Sequence, residues 1–206
     1  WHFIEIMPSF EALCGRLFVQ AGWMPKMLWG GALTFIPVVN FLPFGYLMEY
    51  ALRLSRSGDG ELPVWQDFSL LELFSSGCKL ALLLLGYLIL PVFLGWGVSE
   101  VLDLLTFGFL GVAAYLPMGI GAFAGMFLFL SAVRSYARDG LFADAWRIRE
   151  VATLAGQASR GLIFPILAFW GLCLLAFPLY GFAFFIGALS LLAYSSALFR
   201  EIEKDS

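Results

Sequence analysis

Gly31 to Trp65 reads GALTFIPVVNFLPFGYLMEYALRLSRSGDGELPVW, and its pattern returns later in the chain. Shifted by 80 residues, Gly31, Pro37, Gly45, Asp59 and Gly60 fall on Gly111, Pro117, Gly125, Asp139 and Gly140 without a gap. One deleted residue then brings Trp65 onto Trp146. Each copy reads as an apolar helix broken by proline, a basic exit, an Asp-Gly turn and an amphipathic surface helix leading into another apolar span. The stretch therefore predicts a duplicated two-span unit.

Composition sets the solvent in which that unit folds. Of 206 residues, 61% are hydrophobic and 13% charged, where soluble domains carry about 25% charged residues. Mean hydropathy is +0.88, and several runs reach the roughly 20 residues needed to cross a hydrocarbon core. An all-α integral membrane protein is expected. The formal net charge of −3 suggests neither a nucleic-acid partner nor a polybasic lipid-binding tail. Cys14, Cys78 and Cys173 are odd in number and lack metal-ligand spacing, so they read as small apolar residues. The lone His2 builds no metal cluster or catalytic relay. A start at Trp1 rather than Met suggests a missing upstream piece.

Taken in order, residues 1–25 contain Phe10, Leu13, Leu17 and Phe18 at helical spacing, with Ser9 as a start signal. They predict an amphipathic helix, either lying in the membrane interface or packed on the soluble side. Residues 26–53 read as the first span, kinked or broken by Pro37 and Pro43; a re-entrant hairpin turning near Asn40 is the alternative. Asp67 to Ser76 reads as a short surface helix opened by a Ser69/Glu72 capping box. Spans are then expected at 77–98, 105–133 (kinked at Pro117), 161–177 and 182–198, with a second surface helix over 144–158. The sum is about five transmembrane helices in a single membrane domain, 1–206. Its repeat units cover about 26–98 and 105–177, and 182–198 is an extra C-terminal helix.

Basic residues orient these spans. The segment Arg53 to Lys79 holds Arg53, Arg56 and Lys79, and Arg134 to Arg160 holds five arginines, whereas 99–104 and 178–181 hold none. The positive-inside rule places both repeat loops and the C-terminus in the cytoplasm. A single crossing by 26–53 then puts the N-terminus outside, against the weak pull of Arg16 and Lys26.

Within the first copy, Trp23, Lys26, Gly30-Gly31, Ile36-Pro37, Asn40, Gly45-Tyr46, Glu49, Leu62-Pro63, Trp65, Asp67, Phe74 and Gly77 form a recognisable pattern. Together with Ala193-Tyr194 through Phe199-Arg200, it resembles the prokaryotic membrane family catalogued as domain of unknown function 4013. The resemblance implies a multi-pass bacterial or archaeal membrane protein, and the cytoplasmic (inner) membrane of a prokaryote is the expected location. It implies no reaction and no functional residues.

Candidate chemistry is sparse. Asn40 and Glu49 have the apolar counterparts Ile120 and Phe129 in the second copy, and a carboxylate within a span raises a substrate-binding hypothesis. The plainer reading pairs Glu49 with Arg53 four residues on and sets Asn40 on backbone freed by the kink. Gly121 and Gly125 form a small-xxx-small helix-packing face, and Trp65 and Trp146 read as interfacial anchors. No catalytic set, metal cluster or cofactor motif can be assembled, so no enzyme, metal or cofactor is expected. The leading expectation is an accessory or scaffold subunit packing against other membrane proteins or its own copies in the lipid bilayer. The alternative is a small transporter or lipid-handling protein built on a parallel repeat.

Overall fold

The computed structural model describes residues 9–57 and 60–204, and the long elements among them are all helices. His2 and the repeat's Asp59 lie outside the described residues. α1 (Phe10–Val19) begins where Ser9 Oγ accepts the Ala12 N–H at 3.2 Å, the usual satisfaction of a helix's first donors. Its apolar side is packed rather than bare: Leu17 is buried, and the Phe10 ring meets Tyr194 edge-on at 5.5 Å.

The expected first span is two helices. α2 (Trp23–Thr34) and α3 (Phe41–Ser57) are separated by a turn containing Pro37, and at 12 and 17 residues each falls short of the roughly 20 needed to cross. Pro37 donates no hydrogen bond and disfavours helical backbone at Ile36; Val38 completes the reversal in the left-handed region, at φ 71°. Pro43 sits in the first turn of α3, where proline is tolerated. The direction of α3 follows from the segment beyond it. Lys26 Nζ donates to Leu62 O at 2.6 Å, and Trp65 Nε1 donates to Lys26 O at 3.2 Å. The start of α2 and the exit of α3 thus lie side by side, and the pair is an antiparallel hairpin.

α4 (Leu70–Leu84) opens with the expected capping box: Ser69 Oγ accepts the Glu72 N–H, and Glu72 Oε2 accepts the Ser69 N–H at 2.8 Å. It does not stop at Ser76 as a surface helix. It runs through a π-turn, Leu85–Ile89, into α5 (Leu90–Leu105). Pro91 has no N–H for the helix, and just before it the ladder widens so that Leu90 N–H reaches Leu85 O. α6 (Leu116–Asp139) ends at Gly140, whose φ of 71° suits the left-handed cap. The second expected surface helix, 144–158, is likewise absorbed, into α7 (Ile148–Leu175). α8 (Tyr180–Lys204) closes the chain. Among the described residues, four stretches are long and apolar enough to cross a membrane: Leu70–Leu105, Gly111–Asp139, Ile148–Leu175 and Phe177–Lys204. α8 is the axle, with 67% of its apolar window inside the molecule against 22% for Leu70–Leu105.

Glycine sets the closest approaches. A Cβ on Gly45 would strike the Leu73 carbonyl, and one on Gly77 the Phe41 carbonyl, so α3 and α4 touch backbone to backbone. On α6, a Cβ on Gly121 would strike the Pro91 carbonyl and one on Gly125 would lie 2.7 Å from the Tyr87 carbonyl. The Gly121/Gly125 face therefore packs on the start of α5 and the π-turn before it, within the same chain. Gly77→Leu is expected to cost about 1–3 kcal/mol or more through overpacking. Gly156→Ala, on α7 with nothing within 4 Å of the new Cβ, should gain about 0.5–1 kcal/mol of helix propensity. Thermal unfolding in detergent, followed by circular dichroism, should move in opposite directions for the two variants.

Candidate functional site

Lys26, Tyr46, Leu62, Pro63 and Trp65 of the first-copy pattern meet at the segment 60–65, which folds back against the hairpin. Its backbone is satisfied by side chains from three directions. Gln20 bridges it, with Nε2 donating to Gly60 O and Oε1 accepting from Leu62 N, both at 2.8 Å. Lys26 takes the Leu62 carbonyl, and Tyr46 OH donates to Pro63 O at 2.8 Å. Trp65 lies nearly parallel to the Tyr46 ring, centroids 4.4 Å apart, with Phe185 of α8 beyond them. Tyr46 is fully buried. This lock joins α1, α2, α3 and α8.

Around Trp146 a second segment is held in a related way. Tyr87 OH donates to Ala145 O at 2.6 Å, Ser135 Oγ donates to Asp144 O at 3.1 Å, and the Trp146 ring stacks on Tyr87 at 5.5 Å. Both tryptophans thus pack on tyrosines of the bundle; Trp146 keeps 41% of its surface exposed.

Asn40 and Glu49 are not brought together. Asn40 sits in the turn before α3, its Oδ1 buried and without a hydrogen-bond partner among the described residues. Glu49 is nine positions along, about 13 Å by helical rise. The expected Glu49–Arg53 ion pair does not form. Ser76 Oγ donates to Glu49 Oε1 at 2.6 Å, tying α3 to α4, while Arg53 turns to Asp67 at 3.3 Å and covers the Phe68 ring at 4.8 Å.

Two features escaped the sequence reading. Arg134, read as a loop arginine, lies in α6 with 7% exposure. Its guanidinium grips Glu203 through two hydrogen bonds and donates to Ser55 Oγ at 2.9 Å, linking α6, α8 and α3. A signal existed: the apolar run into Arg134 continues with helical Ser135-Tyr136-Ala137 before Gly140 ends it. The second is a groove of about 530 Å³ between α1, α3 and α8, lined by Arg16, Gln20, Tyr50, Leu54, Ala197 and Arg200 among others. By contrast, the cavity at the bundle centre, walled by Phe44, Met126, Phe169 and Leu191, holds only about 20 Å³. That is room for about one water and no polar group to hold it.

The three cysteines are free and only partly buried. Burial against the bundle pushes the Cys14 thiol up, outweighing a hydrogen bond with Ser190 that pulls it down, so its thiolate is scarce. Among the described residues, no group of three His, Cys, Asp or Glu could hold a metal ion.

Four apolar helices, a tightly packed apolar centre and locked irregular segments define a multi-pass helical membrane protein. Residues 30–195 match the model of the family described as Protein of unknown function (DUF4013), and the chain belongs to that family. No curated protein and no solved structure matches it.

Tyr46→Phe leaves the Pro63 carbonyl without its donor at a buried site, which should cost about 1–3 kcal/mol. The variant should unfold earlier in detergent, and trypsin should cleave after Arg56 faster than in the parent chain. Unchanged melting and cleavage would show that the lock holds nothing in place.

Proposed function

We propose that this chain is a non-catalytic accessory or scaffold subunit of a prokaryotic inner membrane, working by packing against another membrane protein. One observation carries the reading. Among the described residues α5 packs chiefly on α6 and the turn that leads into it, and its outer side presents Phe93, Leu94, Gly97, Val101 and Leu104. Gly97 has no heavy atom within 4 Å of where a Cβ would stand. A lipid-facing position gains from a bulky side chain, whereas glycine on such a face lets a neighbouring helix approach closely. The Gly121/Gly125 face supports nothing here, because the π-turn and the start of α5 already cover it.

The basic residues support an orientation. Arg53 and Arg56 end α3, Arg134 and Arg138 end α6, Arg147 and Arg149 open α7, and Arg200 and Lys204 end α8. With α2–α3 a hairpin, Arg16 and Lys26 join the same end, and the connections 106–115 and 176–179 carry no basic residue. In this reading the basic end is cytoplasmic, the hairpin is re-entrant, four helices cross, and the N-terminal residues share the cytoplasmic side. The sequence expectation of five crossings with the N-terminus outside gives way to this arrangement. Transport through the bundle is the weaker alternative, because the central cavity is too small for a solute and Asn40 and Glu49 share no site.

Native mass spectrometry after gentle extraction from the source membrane tests the docking reading. A stoichiometric partner is expected, lost in Gly97→Leu while the chain's own melting holds. A lone monomer, or a complex indifferent to that substitution, would sink it. Topology is tested separately with single cysteines in a cysteine-free background. Val19→Cys and Leu141→Cys should react from one side of the membrane and Val112→Cys from the other. Labelling of positions 19 and 141 from opposite sides would restore the five-span arrangement.

A further inference from the structure

The groove between α1, α3 and α8 is built from three helix faces. Leu13, Arg16, Leu17 and Gln20 follow at steps of three and four along α1; Tyr50 and Leu54 do so on α3; Ala193, Ala197, Arg200 and Lys204 do so on α8. The opening exists because α8 offers only methyl groups at Ala193 and Ala197. Its inner walls carry Leu13, Leu17, Leu54 and the two alanines, and its charged rim sets Arg16, Arg200 and Lys204 beside Glu61 and Glu201.

The charges are unevenly occupied. Lys204 Nζ pairs with Glu201 at 2.7 Å, and Glu61, which also lines the groove, has an interaction of its own. Among the described residues, Arg16 and Arg200 have neither a hydrogen bond nor an ion pair from their side chains. Arg200 is nonetheless half-buried. Arg16, which is exposed, and Arg200, from different helices, therefore line one groove with their donors uncommitted.

We propose that this groove binds an anionic phospholipid. Arg16 and Arg200 hold the headgroup phosphate, for which the guanidinium's forked donors are suited, and Leu13, Leu17, Leu54 and the two alanines bed the start of an acyl chain. A free phosphate would leave those apolar walls unused, which favours a lipid as the source of the anion. The site lies at the basic end of the bundle, where a crossing helix meets the headgroups. This assignment does not depend on the docking role of α5.

The test uses the full chain in detergent, titrated with dioleoylphosphatidylglycerol or dioleoylphosphatidylcholine and read by native mass spectrometry. The phosphatidylglycerol adduct should survive at activation energies that strip phosphatidylcholine. In the Arg16→Gln, Arg200→Gln double variant its apparent affinity should fall by about tenfold or more. Ala197→Trp, which fills the groove and keeps both charges, should weaken it as well; circular dichroism identifies any variant that has failed to fold. If Ala197→Trp does not fold, the charge variant alone decides. Equal retention of the two lipids, or a double variant that binds phosphatidylglycerol like the parent, overturns the proposal. So does displacement of the lipid by millimolar inorganic phosphate, which would make the groove a simple anion site.

Discussion

One constraint shapes this chain: a proline in apolar sequence frees backbone carbonyls, and there is little water nearby to receive them. Pro37 stops α2 before it is long enough to cross, and the chain turns back as α3. Everything downstream inherits that reversal. The exit of α3 returns to the start of α2, so the next segment must run over the hairpin's own base before α4 can set out. The α3–α4 contact then needs glycine on both sides, Gly45 against Leu73 and Gly77 against Phe41.

An irregular segment folded against helices must have its polar groups answered, and the lock around 60–65 answers them with Gln20, Lys26 and Tyr46. Each such bond contributes only about 0.5–1.5 kcal/mol net, yet an unanswered buried carbonyl would cost about 1–3 kcal/mol. The bonds therefore matter most through what their loss would expose. The stacking of Tyr46 on Trp65, with Phe185 beside both, adds apolar contact to the same place. That joins the hairpin to α8, the most enclosed helix. The many first-copy residues of the family-like pattern are legible as this joint: Lys26, Tyr46, Leu62-Pro63 and Trp65 all take part in it.

Much of this was readable from the residues. Ser9, the Ser69/Glu72 box and Gly140 mark helix boundaries where local chemistry demands them, and the four long apolar stretches follow from hydropathy alone. What failed to read had a common cause. Short-range signals were given more authority than tertiary contact allows. The capping box at Ser69 starts a helix but says nothing of where it ends, so α4 ran on past Ser76. Spacing of four made Glu49–Arg53 a natural pair, yet Ser76 and Asp67 on neighbouring elements offered better partners. Arg134 looked like loop charge because an arginine is rarely buried; only Glu203 and Ser55, 69 and 79 residues away, make its position tolerable.

The hairpin also resolves a conflict that charge counting alone left standing. With a single crossing at 26–53, Arg16 and Lys26 oppose the other basic residues; with a reversal at Pro37, ten of the twelve Lys and Arg fall at one end, Lys79 and Arg160 standing further along α4 and α7. The same reversal brings α1 beside the end of α8, because α1 precedes a segment that no longer leaves that end. Arg16 and Arg200, remote in sequence, come to line one groove for this reason. A break in one helix thus determines which charges meet, and the groove between α1, α3 and α8 is a consequence of where Pro37 stands.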